Sequence, residues 1–375
     1  MNLSIDEQKR YARHLSLPHV GIKGQEKLKD AKVLVVGAGG LGSPVLLYLA
    51  AAGVGTIGIV DNDTIDESNL QRQILYETSQ KGTKKTTQAK KRIEALNALI
   101  KVITHDEQLT KNNALQILKE YDIIIDGTDN FPARFLINDA CLKLDKPFVF
   151  GAIHQFEGHV SLFNYHNGPC YRCLFPQPPP PDLVPSCEEA GVLGVLPGII
   201  GTIQATEALK IILGIGTTLS ARLLVFDALS MTFRELHPKK NPRCRACSDK
   251  DSIELVDYKQ ACEVDEEKTA MSVQELSQMM ESKKEIILMD VREPFERDIC
   301  KLDDTLHYSF RKIQNGDESF LKKLKKDVPI IVYCHTGRRS GIVVDYLREK
   351  GYCAINLSGG IHAWAKEINT DMAIY

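Results

Sequence analysis

The first residues able to carry chemistry form a glycine cluster, Gly37-Ala38-Gly39-Gly40-Leu41-Gly42. It follows Lys32–Val36, an apolar run that predicts a buried strand, and it precedes a predicted helix. Glycines let phosphate oxygens approach the backbone, and a helix N-terminus offers free N–H groups. Asp61 follows the next predicted strand, where a ribose-binding carboxylate belongs. These features predict a nucleotide or dinucleotide site, and an NAD enzyme would also satisfy them.

Further charged residues favour a triphosphate over a hydride-transfer cofactor. They are Arg72 in the polar loop 68–73, Lys85 downstream of it, and the carboxylates of Asp126-Gly127-Thr128-Asp129-Asn130. Arg and Lys would neutralise phosphate charge, and a carboxylate would bind Mg²⁺. Each residue alone could be a solvated surface charge, but an NAD enzyme would not need the set. Together they predict a nucleoside triphosphate with a bound Mg²⁺.

Two Cys-x-x-Cys pairs predict a metal site. The pairs consist of Cys170 with Cys173 and Cys244 with Cys247. Two thiolates from each pair would complete a closed tetrahedral Zn²⁺ site that is structural and has no open position for catalysis. A redox pair or coincidental spacing is the alternative interpretation.

A third kind of cysteine lies in Cys334-His335-Thr336-Gly337-Arg338-Arg339-Ser340, between a predicted strand and a predicted helix. Loop N–H groups and a helix N-terminus would stabilise a thiolate or persulfide anion, and two arginines add positive charge. A phosphatase loop would have the same local pattern. Cys334 is therefore a candidate nucleophile.

The other cysteines differ in what can be expected of them. Cys187 follows the proline run 178–181, in a segment that predicts an extended surface crossover. It is either a free loop cysteine or a second reactive thiol. Cys141 and Cys353 are interpreted as core residues, and no function is assigned to Cys262 or Cys300.

The elements that must position these residues alternate between strands and helices, which predicts an α/β protein with a Rossmann-like doubly wound sheet. A second, smaller α/β pattern begins after an acidic segment of weak periodicity. We therefore expect a first domain over residues 1–248, a linker over 249–270 and a second domain over 271–375.

Composition excludes several classes of protein. Charged residues make up 26% of the chain and the net charge is −2, so no field would steer it onto nucleic acid. The apolar runs are strand-sized, and the N-terminal residues lack the pattern of a signal peptide. We expect a cytoplasmic protein that does not bind a membrane.

The combined motifs of the first domain resemble the MoeB/ThiF/HesA family, relatives of ubiquitin-activating enzymes. The resemblance implies that ATP adenylates the C-terminal Gly-Gly carboxylate of a small ubiquitin-fold sulfur-carrier protein. It also implies that Arg13, in Tyr11-Ala12-Arg13-His14, reaches the active site of a partner subunit in a homodimer. The residues it assigns to ATP and Mg²⁺ are Gly37, Gly39, Gly40, Gly42, Asp61, Asn69, Arg72, Lys85, Asp129 and Asn130. Cys187 matches the family's mobile-loop cysteine.

The second domain resembles rhodanese domains. Besides the Cys334 loop, the motifs that carry this resemblance are Asp290-Val291-Arg292-Glu293-Pro294 and Leu357-Ser358-Gly359-Gly360-Ile361, with Trp364. The chain departs from the family at residues 297–302, where the usual His-Ile-Pro-Gly-Ala stretch is absent. The resemblance implies a Cys334 persulfide, loaded by an outside donor such as a cysteine desulfurase.

Adenylation and sulfur transfer together predict the synthesis of a carrier thiocarboxylate, for molybdopterin, thiamine or thiolated tRNA. Carrier activation alone, with the rhodanese-like domain as a recruiting or sensing module, is the main alternative. A non-catalytic scaffold is a further alternative, which the intact Cys334 loop disfavours.

Overall fold

The computed structural model describes residues 3–177, 191–250, 252–257, 270–281, 286–325 and 328–375. The described residues up to 257 form one compact unit, and those from 270 form a second. Both units combine helices with a sheet, which confirms the predicted α/β fold class.

The first unit is built on an eight-stranded sheet with the order β3-β2-β1-β4-β5-β6-β7-β8. The strands are β1 Lys32–Val36, β2 Thr56–Val60, β3 Lys101–His105, β4 Ile123–Asp126, β5 Phe148–His154, β6 Glu157–Phe163, β7 Leu223–Asp227 and β8 Thr232–Leu236. β1 to β5 pair in parallel, and β6 to β8 are antiparallel. The chain changes direction across the sheet between β1 and β4, and such a switch point forms a crevice at the carboxyl ends of the strands.

The central strands are buried on both faces, which explains their continuous apolar sequence. In β1, Val33 and Val35 pack in one core cluster, whereas Leu34 and Val36 pack in the cluster on the opposite face. Alternate side chains of a strand point to opposite faces, so both faces require apolar residues. This burial holds the carboxyl end of β1, and therefore the glycine cluster, in place.

The helices of the first unit are Ile5–Arg10, Ala12–Leu15, Gly21–Asp30, Gly42–Ala52, Lys85–Leu96, Ala114–Leu118, Phe131–Lys143, Tyr171–Leu174 and Leu196–Leu213. Leu196–Leu213 is long and apolar enough to span a membrane by length and composition, unlike the strand-sized runs expected from the sequence. It packs instead as a core helix against Gly42–Ala52 and the sheet. A Cβ on Gly201 would lie 2.5 Å from Pro44 Cγ, so glycine permits this close packing.

The second unit has a parallel five-stranded sheet with the order β11-β10-β12-β13-β9. Its strands are β9 Ala270–Met271, β10 Ile287–Asp290, β11 Thr305–His307, β12 Ile330–Tyr333 and β13 Ala354–Leu357. Its helices are Val273–Glu281, Pro294–Ile299, Phe310–Gln314, Arg338–Glu349 and Gly360–Glu367. The Cys334 loop follows β12 at the carboxyl edge of the sheet.

The structure also bears on the predicted linker and on the predictions for three cysteines. Within the predicted linker, Ile253 contacts the first unit, since its carbonyl accepts a 2.7 Å hydrogen bond from Lys143 Nζ. Cys141 is buried as predicted, but the assignment of Cys353 to the core is wrong, because Cys353 is exposed in the connection that leads into β13. Cys187 lies outside the described residues.

Candidate active sites

The glycine cluster contains glycines of two kinds. Gly37 has a φ of 93°, and a Cβ on Gly42 would lie 2.1 Å from Gly37 O, so both are required by the backbone itself. A Cβ on Gly39 or Gly40 would instead have its nearest contact at 3.6 Å or 3.3 Å. Packing within the protein does not require Gly39, although Pro197 leaves little room for a side chain at Gly40. A phosphate that approaches the loop would explain Gly39.

Asp61 lies beside this loop at the end of β2. Its Oδ2 accepts a 2.8 Å hydrogen bond from the Ala38 N–H, and its Oδ1 accepts one of 2.8 Å from the Asp63 N–H. Burial raises the pKa of Asp61, and the positive charge of Lys85 opposes that rise. The carboxylate is thus oriented by the backbone next to the phosphate loop, as a ribose-binding group requires.

Lys85 is held close to Asp61 by a neighbouring carboxylate. Its side chain is only 7% exposed, and Nζ lies 2.8 Å from Asp63 Oδ2. Asp63 is 60% exposed, so this ion pair opens towards solvent. An ammonium that is buried except for this one side is suited to receive a phosphate oxygen.

The loop that carries Arg72 forms a local polar network. Asn69 Oδ1 accepts a 2.6 Å hydrogen bond from Gln73 Nε2, and Arg72 Nη1 donates to Ser68 O at 3.3 Å. Gln73 Oε1 is buried and has no hydrogen-bond partner among the described residues. A buried acceptor without a partner near Gly39 is the kind of group that a bound polar ligand satisfies.

The motif that ends β4 separates its two aspartates. Asp126 is fully buried, whereas Asp129 is exposed. Asn130 caps the helix Phe131–Lys143, because its Oδ1 accepts a 2.9 Å hydrogen bond from the Ala133 N–H. Asp129 is therefore the exposed carboxylate of the motif, with Asn130 Nδ2 at 3.5 Å from its Oδ1, and an exposed carboxylate is what binding of a hydrated Mg²⁺ requires.

Sequence reasoning assigned no role to Asp126 or to its partner Arg134. Arg134 Nε lies 3.3 Å from Asp126 Oδ2, and both side chains are buried. Burial raises the pKa of Asp126 to about 6, although the charge of Arg134 lowers it. The position of Asp126 as the last residue of a buried strand was the available indication that it would not reach solvent.

The four predicted metal ligands meet in one cluster. The sulfurs of Cys170, Cys173, Cys244 and Cys247 all lie within 4.8 Å of one another. Three Sγ–Sγ distances are 3.8 Å, 3.6 Å and 3.5 Å. Four sulfurs at about 2.3 Å from one tetrahedral ion lie about 3.8 Å apart, so the cluster is compatible with Zn²⁺.

The cysteine cluster is joined by hydrogen bonds to the helix Phe131–Lys143. Arg172, inside the first Cys-x-x-Cys pair, forms two 2.7 Å hydrogen bonds with the Asp139 carboxylate. Asn138 Oδ1 accepts a 2.9 Å hydrogen bond from the Tyr171 N–H. Arg172 therefore fixes the segment between Cys170 and Cys173 to this helix, a contact that sequence reasoning missed.

In the second unit, the Cys334 sulfur is buried in its loop. Sγ accepts a 3.2 Å hydrogen bond from the Gly337 N–H, and Ser340 Oγ lies 3.4 Å away. Gly337 has a φ of 100°, a conformation that favours glycine and turns the chain into the helix Arg338–Glu349. These donors and the helix N-terminus stabilise negative charge on sulfur.

The two arginines of the loop do not contribute equally. Arg339 forms hydrogen bonds of 2.7 Å and 2.6 Å with the Glu296 carboxylate, so its charge is neutralised there, while Arg338 is exposed. The prediction that both arginines add charge at Cys334 therefore needs correction for Arg339. A loop arginine and a carboxylate on another helix are distant in sequence, and no local pattern revealed the pair.

Asp290 and Arg292 form a buried ion pair that contacts the Cys334 loop through Tyr375. Both side chains are 0% exposed, and Arg292 contacts the Asp290 carboxylate through Nη2 at 2.8 Å and Nε at 3.0 Å. Arg292 also donates to Tyr375 Oη at 2.8 Å, and the Tyr375 ring stacks on His335 with centroids 4.4 Å apart. The motif is structural and does not present free groups to a substrate.

Arg13, the predicted contributor to a partner subunit, lies in the short helix Ala12–Leu15 and is exposed. Its position is compatible with a role outside its own chain.

Comparison with known proteins agrees with both resemblances. Residues 11–246 match the ThiF family, and residues 272–367 match the rhodanese-like domain. The chain is 45% identical over 386 residues to a Mycobacterium tuberculosis protein named "Probable adenylyltransferase/sulfurtransferase MoeZ", covering 100% of this chain and 96% of MoeZ. It is 53% identical over 268 residues to the sulfur carrier protein adenylyltransferase of Thermus thermophilus, covering 70% of this chain and 99% of that protein.

Solved structures share the fold of the first unit. Escherichia coli MccB with ATP superposes with a TM-score of 0.56 at 23% identity, covering 64% of this chain and 75% of that one. The full-length similarity to an adenylyltransferase/sulfurtransferase matches the two sites described above. The chain therefore belongs to the ThiF family and joins an adenylyltransferase unit to a C-terminal rhodanese-like domain.

Proposed function

We propose that this enzyme adenylates the C-terminal Gly-Gly carboxylate of a small ubiquitin-fold sulfur-carrier protein and then converts that carboxylate to a thiocarboxylate. The observation that supports the proposal is the presence, in one chain, of a glycine loop with room for a ligand at Gly39 and a cysteine loop whose Gly337 N–H donates to Cys334 Sγ. An acyl-adenylate and a persulfide are the two reactants from which a thiocarboxylate is made. The name of the Thermus relative supports a sulfur carrier as the acyl substrate.

In the first step, a carboxylate oxygen of the carrier attacks the α-phosphorus of ATP. The bond to the β-phosphate oxygen breaks, pyrophosphate leaves, and the carrier becomes an acyl-adenylate. The attacking carboxylate is already ionised near pH 7, so no general base is needed. Lys85 and Arg72 would stabilise the charge that develops on the phosphate oxygens, while Asp61 orients the ribose.

In the second step, the terminal sulfur of a Cys334 persulfide attacks the acyl carbon. The bond to AMP breaks and an acyl disulfide forms. A second thiolate, for which we propose Cys187, attacks Cys334 Sγ and releases the carrier thiocarboxylate. This leaves a disulfide between the two cysteines, which an external thiol reductant must reduce. The persulfide itself would come from a donor such as a cysteine desulfurase.

Two metal ions complete the proposal. Asp129 would hold Mg²⁺, which supplies positive charge to the phosphate oxygens. The four clustered cysteines would hold Zn²⁺ in a closed structural site. Arg13 would act in the crevice of a partner subunit, which makes the proposed enzyme a homodimer.

Separate assays of the two steps test this division of labour. In Cys334→Ala we expect carrier-dependent ATP–pyrophosphate exchange to be retained, while thiosulfate-to-cyanide sulfur transfer and thiocarboxylate formation are lost. In Asp129→Ala we expect the reverse, with exchange lost and thiosulfate-to-cyanide transfer kept. Cys353→Ala and Asp30→Ala are matched controls, because both positions are exposed and lie outside the two sites.

The alternative function predicts a different product. If the rhodanese-like domain only recruits or senses a partner, mass spectrometry of the carrier will show adenylate but no thiocarboxylate when a persulfide donor is present. Loss of pyrophosphate exchange in Cys334→Ala would contradict the two-step scheme.

A further inference from the structure

We propose that Asp126 and Arg134 are positioning residues for adenylation, which together hold the loop that presents Asp129 to the Mg²⁺–nucleotide. This inference rests on the proposed role of Asp129, but it concerns two residues that touch neither substrate nor metal ion.

Asp126 and Arg134 close a ring of polar contacts around Thr128. Asp126 Oδ1 accepts hydrogen bonds from the Thr128 N–H at 2.9 Å and the Thr128 hydroxyl at 2.6 Å. Its Oδ2 lies 3.3 Å from Arg134 Nε, and Arg134 Nη2 donates to Thr128 O at 3.1 Å. The backbone immediately before Asp129 is therefore held on both its N–H and its carbonyl side.

The same segment is packed against the phosphate loop. The Gly127 N–H donates to Val36 O at 2.7 Å, and a Cβ on Gly127 would lie 2.3 Å from Gly37 O. On the far side of Asp129, Asn130 caps the following helix. Asp129 thus lies between two anchored neighbours, so its position depends on their contacts.

A structural role alone does not account for a buried ion pair at this point. Such a pair is weak evidence for stability, since desolvation of the two charges offsets their attraction. Here burial raises the pKa of Asp126 to about 6 in spite of Arg134. The fold retains an ionisable carboxylate at an energetic cost, and this carboxylate holds Thr128, which lies between Asp129 and the segment packed on Gly37.

The test is the Mg²⁺ dependence of carrier-dependent ATP–pyrophosphate exchange in the full chain. In Asp126→Asn we expect the Mg²⁺ concentration for half-maximal exchange to rise about tenfold or more, because small displacements of a reacting group have effects of this size. The affinity for AMP without Mg²⁺, measured by calorimetry, should change less than about twofold, since Asp61 and the glycine loop are untouched. Arg134→Gln should raise the Mg²⁺ concentration for half-maximal exchange in the same way. For Arg134→Lys, which keeps the positive charge, this concentration should lie between those of the wild type and Arg134→Gln.

The matched control is Asp139→Asn, which removes another buried carboxylate on the helix of Arg134 and breaks its ion pair with the partly exposed Arg172. The proposal is overturned if Asp139→Asn shifts the Mg²⁺ dependence as much as Asp126→Asn, since general loosening of the helix would then be the cause. It is also overturned if the Asp126 and Arg134 variants keep the wild-type Mg²⁺ dependence.

A double variant, Asp126→Asn with Arg134→Gln, should be no worse than either single variant if the two residues act as one unit. If the shifts in Mg²⁺ concentration of the two single variants added up in the double variant, Asp126 and Arg134 would not act as one unit. Where Asp126→Asn is not recovered folded, Arg134→Lys and Arg134→Gln carry the comparison alone. If the wild-type chain shows no carrier-dependent exchange with Mg²⁺, the proposed function itself fails, which is distinct from failure of the positioning role.

Discussion

Replacing Arg292 with methionine should destabilise the second unit by about 3–5 kcal/mol, the cost of leaving one partner of a buried ion pair alone. Arg292 and Asp290 are both 0% exposed. Burial tends to lower the pKa of Arg292, but its hydrogen bonds and the charge of Asp290 raise it, so the guanidinium is charged in the folded state. Arg297 Nε lies 3.3 Å from Asp290 and would compensate only in part.

The assay uses the single tryptophan of the chain, Trp364, which lies in the core of the second unit. Its fluorescence during urea unfolding follows that unit without interference from the other. With a urea dependence of about 1–2 kcal/mol per molar, the midpoint should fall by about 1.5 M or more. The control Lys301→Met removes an exposed charge nearby and should leave the midpoint within about 0.3 M.

Two results would refute the reasoning. One is a midpoint for Arg292→Met equal to that of Lys301→Met. The other is a double variant, Asp290→Asn with Arg292→Met, that is no more stable than Arg292→Met, since removal of the second charge should relieve the desolvation penalty. Pyrophosphate exchange by the first unit should be unchanged in all these variants.

Three further predictions concern the glycine cluster, the cysteine cluster and His335. Gly42→Ala should lower the thermal midpoint of the first unit, because the new Cβ would lie 2.1 Å from Gly37 O. Gly39→Ala should keep the wild-type thermal midpoint and weaken ATP binding about tenfold in calorimetry. Equal thermal midpoints for the two variants would contradict this prediction. Removing metal with a chelator should lower that midpoint by about 5 °C or more and leave the Trp364 transition unchanged, measured by calorimetry and fluorescence with zinc content as the check. Burial and the neighbouring His362 lower the pKa of His335 to about 4, below the unfolded value of about 6.5. The unfolded state therefore binds the proton first, so stability should fall by up to about 3 kcal/mol as the pH drops from about 6.5 to 4. His335→Gln should remove that part of the dependence in the Trp364 signal.

Features that depend on short stretches of chain could be predicted from the sequence. The glycine cluster, the two Cys-x-x-Cys pairs and the Cys334 loop are each contained in a few residues, and their backbone needs are local. The strand before each loop has a continuous apolar run, which predicts burial and hence the carboxyl edge of a parallel sheet. The fold class and the four clustered cysteines were predicted for these reasons.

Other features depend on which distant side chains meet. The sequence presents Asp126 and Asp129 as similar carboxylates, but the packing of the helix Phe131–Lys143 buries one against Arg134 and leaves the other exposed. Arg338 and Arg339 are adjacent in sequence, but the Glu296 carboxylate is paired with Arg339.

The glycines show the same division. Their presence in the loop indicates a close approach, but only the three-dimensional backbone distinguishes Gly42, which the protein itself requires, from Gly39, which leaves room for a ligand. Local sequence therefore determined which chemical groups this enzyme has and the loops that carry them. Tertiary packing decided which of those groups are neutralised and which face the crevice, because burial and ion pairing depend on contacts between residues far apart in the chain.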